Sequence, residues 1–319
     1  MIAEMYVDFD ALAILRPTHD PRATDYVPQM LDIVRTLEGK GLAYRAEGGD
    51  VNYAVRRFVG YGKLSGKSLD DLNVGERVAV ADSKEDPLDF VLWKAAKASE
   101  PADAKWDSSY GPGRPGWAIE CSAMAATHLG ETIDIHAGGN DLMFPHHENE
   151  VAQSTCAHGG KLFARYWLHN GMLTFAGRKM SKSLGNVMIL HELLERYPAE
   201  VLRFLLLRAH YRQPLEWSED TLAQARATLD GWYRVLLDHA DVPVEGDELQ
   251  VPEEIEQALC DDLNTPAAFA VLAGLADQLR QADDSQARRQ RKAALLGAGL
   301  LLGLLQDNPE QWFQQTSAG

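Results

Sequence analysis

Thr132-Ile133-Asp134-Ile135, followed by Pro145-His146-His147-Glu148-Asn149-Glu150, decides how this chain is read, because a short apolar run precedes a polar helix start. A strand feeding a helix is one step of a βαβ repeat, and such repeats build a parallel sheet. From Trp117 to Met172 short apolar runs keep alternating with helix-like segments. Upstream, Met30, Leu31, Ile33, Val34, Leu37 and Leu42 recur at helical spacing between Val27 and Ala43, with Pro28 suited to the first turn and Gly39 and Gly41 to the stop. Asp50-Val51-Asn52-Tyr53-Ala54-Val55 alternates polar and apolar residues after Gly48-Gly49, as a strand leaving a turn does. The glycines and prolines of Tyr110-Gly111-Pro112-Gly113-Arg114-Pro115-Gly116 then interrupt the backbone, and a domain boundary is expected there. Beyond Ser218, Leu222, Ala225, Leu229, Trp232 and Leu236 recur at threes and fours, which reads as a helical bundle whose first helix starts at Ser218-Glu219-Asp220.

At 319 residues the chain exceeds the usual size of one domain, so two or three compact units are expected. Its longest apolar run, near Leu295 to Leu305, is punctuated by glycine and falls short of the roughly 20 residues a membrane helix needs. Met1-Ile2-Ala3-Glu4-Met5 lacks the cationic start of an export signal, so a cytoplasmic protein with no membrane partner is expected. Cys121, Cys156 and Cys260 are too few for a disulfide framework and read as reduced thiols. A net charge of −16 argues against a protein that coats nucleic acid. Local basic tracks remain at Arg203, Arg208 and Arg212 and at Arg288-Arg289-Gln290-Arg291-Lys292, each read first as a solvated helix face.

Two runs carry chemistry. On a helix, His146 and Glu150 stand four apart on one face, within reach of one ion, and Cys121 upstream offers a thiolate. Zinc accepts sulfur, imidazole and carboxylate together, and a catalytic zinc commonly has three protein ligands. The plain alternative is a polar helix surface beside a buried cysteine. His-Glu-x-x-His, the mark of many zinc hydrolases, is absent from the sequence. In Lys179-Met180-Ser181-Lys182-Ser183-Leu184-Gly185-Asn186, Lys179 and Lys182 lie three apart in a small, polar segment suited to the charge of a departing pyrophosphate. An ordinary surface loop is the alternative.

Lys179-Met180-Ser181-Lys182-Ser183 resembles the second signature of class I aminoacyl-tRNA synthetases. With Gly116-Trp117-Ala118-Ile119-Glu120-Cys121-Ser122 and the run from Gly138 through Asp141 and His146-His147 to Glu150, the resemblance narrows to the cysteinyl-tRNA synthetases and covers nearly the whole chain. It implies an α/β fold: a partial Rossmann-like parallel sheet with an inserted α+β unit and a C-terminal helical bundle. The expected divisions are 1–116 for the inserted unit, 117–215 for the second half of the catalytic domain with the lysine loop, and 216–319 for the bundle. The resemblance further implies a ligase that activates cysteine with ATP and Mg2+ and transfers it to tRNA(Cys), with zinc on Cys121, His146 and Glu150 selecting the substrate thiol. Lys179 and Lys182 then act on ATP, Trp117 lies beside the amino acid, and Gly139 and Asp141 face the adenosine. Read from the residues alone, Trp117 is a core aromatic and Gly139 a loop glycine.

The sequence departs from the family pattern in four places. From the resemblance, the fourth zinc ligand and the first signature are expected in a segment before this chain's first residue and the C-terminal anticodon-reading unit is expected to be absent, and Ala118 stands where a histidine often follows the tryptophan. His128-Leu129-Gly130-Glu131 imitates half of the first signature but follows Cys121 and lacks the second histidine. The expectation is a fragment, with a separate N-terminal piece among its partners and little aminoacylation by this chain alone. Two other readings stay open: a ligase joining cysteine to an amino sugar, as in mycothiol synthesis, and an inactive tRNA-binding paralogue.

Overall fold

A computed structural model describes residues 2–69, 84–175, 178–179 and 189–314, with only the backbone given at 178–179. Two compact units emerge, Pro17–His169 and Met1–Arg16 with Asn170–Gly319. α1 (Ile2–Ala11) belongs to the second of these.

In the unit Pro17–His169, α2 (Val27–Gly39) buries Met30, Val34 and Leu37 completely. Pro28 sits in the first turn, where its missing amide would have had no partner. Gly41, at φ +71°, turns the chain out of the helix, so Ala43 starts a strand instead of ending α2. β1 (Ala43–Arg45), β2 (Val51–Tyr53), β3 (Phe90–Ala95) and β4 (Gly113–Pro115) form an antiparallel sheet in that order. Ala43 faces Tyr53, Val51 faces Trp93, and Trp93 faces Pro115.

The proline- and glycine-rich stretch thus makes an edge strand, where a proline leaves no ladder bond unmade. A Cβ on Gly113 would fall 2.3 Å from Trp93 Nε1 and 2.5 Å from the Lys94 carbonyl oxygen, so a glycine lets the strand close on that indole. The same core continues past Gly116 into α3 (Trp117–Leu129) and α4 (Glu148–Ala157), whose Ile119, Ala123 and Ala152 pack with Met30, Leu37, Val51 and Trp93. No compact unit ends at residue 116. β5 (Ile133–Gly139) follows α3 and pairs with β6 (Ala164–Asn170).

In the other unit, β7 (Leu173–Phe175) pairs antiparallel with β8 (Arg178–Lys179) and parallel with β9 (Leu215–Trp217). The helices are α5 (Leu190–Leu194), α6 (Ala199–Leu207), α7 (Glu219–Asp238), α8 (Glu253–Cys260), α9 (Thr265–Arg280), α10 (Ser285–Leu302) and α11 (Pro309–Gln314). Leu202, Leu222, Leu229, Tyr233, Leu272, Leu295 and Trp312 share one core with Trp217 of β9, so residue 215 falls within a unit and not between two. The chain is an α/β protein with parallel pairing and a helical C-terminal region, as expected.

α7 starts at Ser218 for a local reason. The Ser218 hydroxyl accepts the Thr221 N–H at 3.1 Å, and the Thr221 hydroxyl accepts the Ser218 N–H at 2.9 Å, which satisfies two amides that the helix leaves over. Ser218→Ala is expected to lower stability by about 1 kcal/mol, read as an earlier thermal midpoint, and Ser218→Asp to restore most of it.

Several residues of the basic tracks are committed within the chain. Arg289 pairs with Glu248 at 2.7 Å, and Lys292 donates to the carbonyls of His239 and Val242 at 2.8 and 2.7 Å. Arg203 donates to Leu302 and Leu12, and Arg212 forks onto Asp262.

Candidate metal centre

α3, β5, β6 and α4 build a polar centre inside the unit Pro17–His169. Cys121 lies one turn into α3, and a helical turn at Met143–His147 leads directly into α4. That continuity stacks His146 over Glu150 four residues later, with Nε2 2.8 Å from Oε1. Ligand atoms of Cys121, His146 and Glu150 all lie within 4.8 Å of one another. A second set, His136, His147 and Glu150, meets the same condition. His136 Nε2 stands 3.0 Å from the other Glu150 oxygen, Oε2, so the carboxylate faces one imidazole with each oxygen.

Glu150 is fully buried, and apart from these two imidazoles no side-chain or backbone group among the described residues satisfies its oxygens. A buried carboxylate left this way costs several kcal/mol unless something else offsets its charge. Burial pushes its carboxyl up, but His136 and His146 beside it bring the balance below the ordinary value. Burial, with Glu150 and Glu120 adding, pushes the Cys121 thiol up to about 12, so at neutral pH it carries a proton that a cation would replace. His147 is held down to about 4, first by burial and then by neighbouring histidines, and is therefore neutral at pH 7. Its Nδ1 lies 2.8 Å from His169 Nε2.

Sulfur, imidazole nitrogen and carboxylate oxygen converging in this way are a donor set that suits zinc. Trp117, at the start of α3, is 64 % exposed and lies against His146 with ring centroids 4.2 Å apart. The core reading of Trp117 is therefore wrong: the indole lines the centre. Ala118 is buried instead, and its carbonyl accepts the Gln153 amide at 2.5 Å, which ties α3 to α4. Gly139 ends β5 and its carbonyl accepts the Leu142 N–H at 2.9 Å; a Cβ there would lie 2.6 Å from Asp141 Oδ1. Gly139 and Asp141 thus share one tight turn between β5 and the histidine pair. Lys179 is placed by its backbone in β8, opposite Thr174. Lys182 lies outside the described residues, as do Met180, Ser181 and the positions from Ser183 to Asn186.

Residue reasoning missed His136, His169 and Trp167, and it quoted His147 without a role. Trp167 packs edge-on to His136 at 4.8 Å and lies over His169 at 6.0 Å between ring centroids. One signal was available: five of the chain's ten histidines fall between residues 136 and 169.

Residues 1–227 match the family of tRNA synthetases class I (C), catalytic domain, and residues 254–306 match the DALR domain. A protein of Acidovorax ebreus (strain TPSY) called cysteine–tRNA ligase is 55% identical over 320 residues, covering 100% of this chain and 69% of that protein. One of the same name from Cupriavidus necator is 54% identical over 315 residues, covering 98% of this chain and 67% of its own length. Among solved structures, Mycobacterium tuberculosis methionyl-tRNA synthetase in complex with methionyl-adenylate aligns at TM-score 0.53 and 13% identity. That alignment covers 93% of this chain and 75% of the other, and it speaks to the fold alone.

Proposed function

Since this chain belongs to the class I (C) tRNA synthetase catalytic-domain family, we propose that it serves the ligation of cysteine to tRNA(Cys), with cysteine first activated by ATP as cysteinyl-adenylate. The observation that carries this reading is the convergence of Cys121, His146 and Glu150 within 4.8 Å, around a fully buried carboxylate faced by two imidazoles.

Each residue has a separable task. Cys121 gives up its proton and supplies a soft donor, His146 supplies an imidazole nitrogen, and Glu150 supplies the negative charge that offsets a divalent cation. Zinc, when bound, coordinates a thiolate far better than a hydroxyl and so separates cysteine from serine. Trp117 packs at a tilt against the His146 ring and presents an exposed flat face beside the amino acid. Gly139 and Asp141 face the adenosine. Lys179 and Lys182 supply positive charge to the phosphates of ATP, which arrives with Mg2+.

Equilibrium dialysis against Zn2+, followed by calorimetry with cysteine and with serine, tests this. About one zinc per chain is expected, with heat from cysteine, none from serine, and loss of both signals after chelation. No bound zinc, or equal binding of the two amino acids, would overturn the reading.

A further inference from the structure

Between His146, in the turn before α4, and Glu150, on α4, lie Glu148 and Asn149, and both reach toward one loop. Glu148 is fully buried, and its Oε2 accepts the Ser65 N–H and the Ser65 hydroxyl, each at 2.9 Å. The hydroxyl has a second acceptor, the Gly62 carbonyl, but at 3.4 Å. Asn149 Oδ1 accepts the Tyr61 hydroxyl at 2.5 Å. The Tyr61 ring also meets the edge of Phe144, and Lys67 Nζ sits 4.5 Å above the same Phe144 ring, in the turn that carries His146.

The loop is itself rigidly specified. Gly62 has φ +91°, and a Cβ there would fall 2.0 Å from the Lys67 carbonyl oxygen, so this turn admits only glycine. The Lys67 N–H closes it by donating to the Gly62 carbonyl at 3.0 Å. Burial, with the Glu148 charge adding, keeps the Tyr61 phenol above its ordinary range, so it remains a donor at physiological pH.

We propose that Glu148 is a positioning residue for the metal centre: through Ser65 it clamps the start of α4 to the loop 61–67 and so fixes His146 and Glu150 at ligand spacing. The alternative is that Glu148 is merely a buried anchor for the loop, indifferent to what α4 holds. Geometry favours the clamp, because Glu148 lies two residues from each ligand and a helix start that rotates displaces both together. This rests on the zinc reading above.

Ser65→Ala removes one of the two donors to Glu148, and Ser65→Thr keeps both. In the full chain, zinc affinity is measured by competition with a chromophoric chelator, and the visible spectrum of the Co2+-loaded protein reports ligand geometry. Zinc binding by the unmodified chain is measured first, and its failure sinks the metal reading rather than this one. Given that binding, Ser65→Ala is expected to weaken zinc roughly tenfold, within the range for residues that support ligands, and to alter the cobalt bands. Ser65→Thr is expected to restore both. Unchanged affinity and spectrum in Ser65→Ala, or equal losses in Ser65→Ala and Ser65→Thr, would overturn the proposal; an effect on thermal stability alone would do so as well.

Discussion

Cys121→Ser is expected to lower zinc affinity about 100-fold while leaving the metal-free fold in place. Structural zinc sites with four ligands bind with about 10–16 kcal/mol, so one ligand carries roughly 3 kcal/mol, or about two orders of magnitude. Serine preserves the size of the side chain but offers a hard hydroxyl that does not ionise at neutral pH. Without a cation the Cys121 thiol is protonated, so the exchange in the metal-free chain replaces one neutral group by another. Chelator competition measures the first effect and circular dichroism the second. A serine variant that holds zinc as tightly as the unmodified chain removes Cys121 from the ligand set, and the proposed selection of a thiol loses its basis.

The parts of this architecture that were legible in the sequence are those whose cause is local. α2 follows from its apolar spacing and from Gly41, and α7 follows from Ser218 meeting Thr221. Tyr110–Gly116 misled because proline and glycine report only what the backbone does at that point. Whether the chain then leaves a unit depends on Trp93, which accepts Gly113 against its indole, and on Ile119, which continues the same core. The centre divides along the same line. His146 and Glu150 are one helical turn apart and declare themselves, whereas Cys121, read as a thiolate donor from its type alone, lies on another helix and reaches them only because α3 packs against α4. His136 and His169 sit on β5 and β6, and only the pairing of those strands and the packing of α4 bring them to Glu150 and His147. The exposure of Trp117 had no signal in its neighbours, since Ala118 and Ile119 are both buried, and only the family resemblance set it apart from the core.

Glu150→Gln is expected to remove most of the thermal stabilisation that zinc confers, and in combination with Cys121→Ser it tests whether one ion joins the two residues. Zinc at about 1,000 times its dissociation constant stabilises the unmodified chain by about 4 kcal/mol, which for a unit of this size raises the midpoint by roughly 10 °C. Glutamine keeps the shape of Glu150 but not the charge that must offset the cation, and with affinity about 100-fold lower the stabilisation falls to about 1.4 kcal/mol at the same zinc concentration. The rise in midpoint then shrinks to a few degrees, whatever the change does to the metal-free protein. The double variant sharpens the argument. If both side chains hold one cation, the ion is already loosened by the first change, so the second costs less and the combined loss of zinc affinity is smaller than the sum. Their ligand atoms lie within 4.8 Å, so some coupling without metal is expected from contact alone, and the metal-free pair of variants measures it directly. Coupling that grows when zinc is added places Cys121 and Glu150 on a common ion. Coupling that is the same with and without zinc separates them, and the site would then be a buried polar cluster with no metal to complete it.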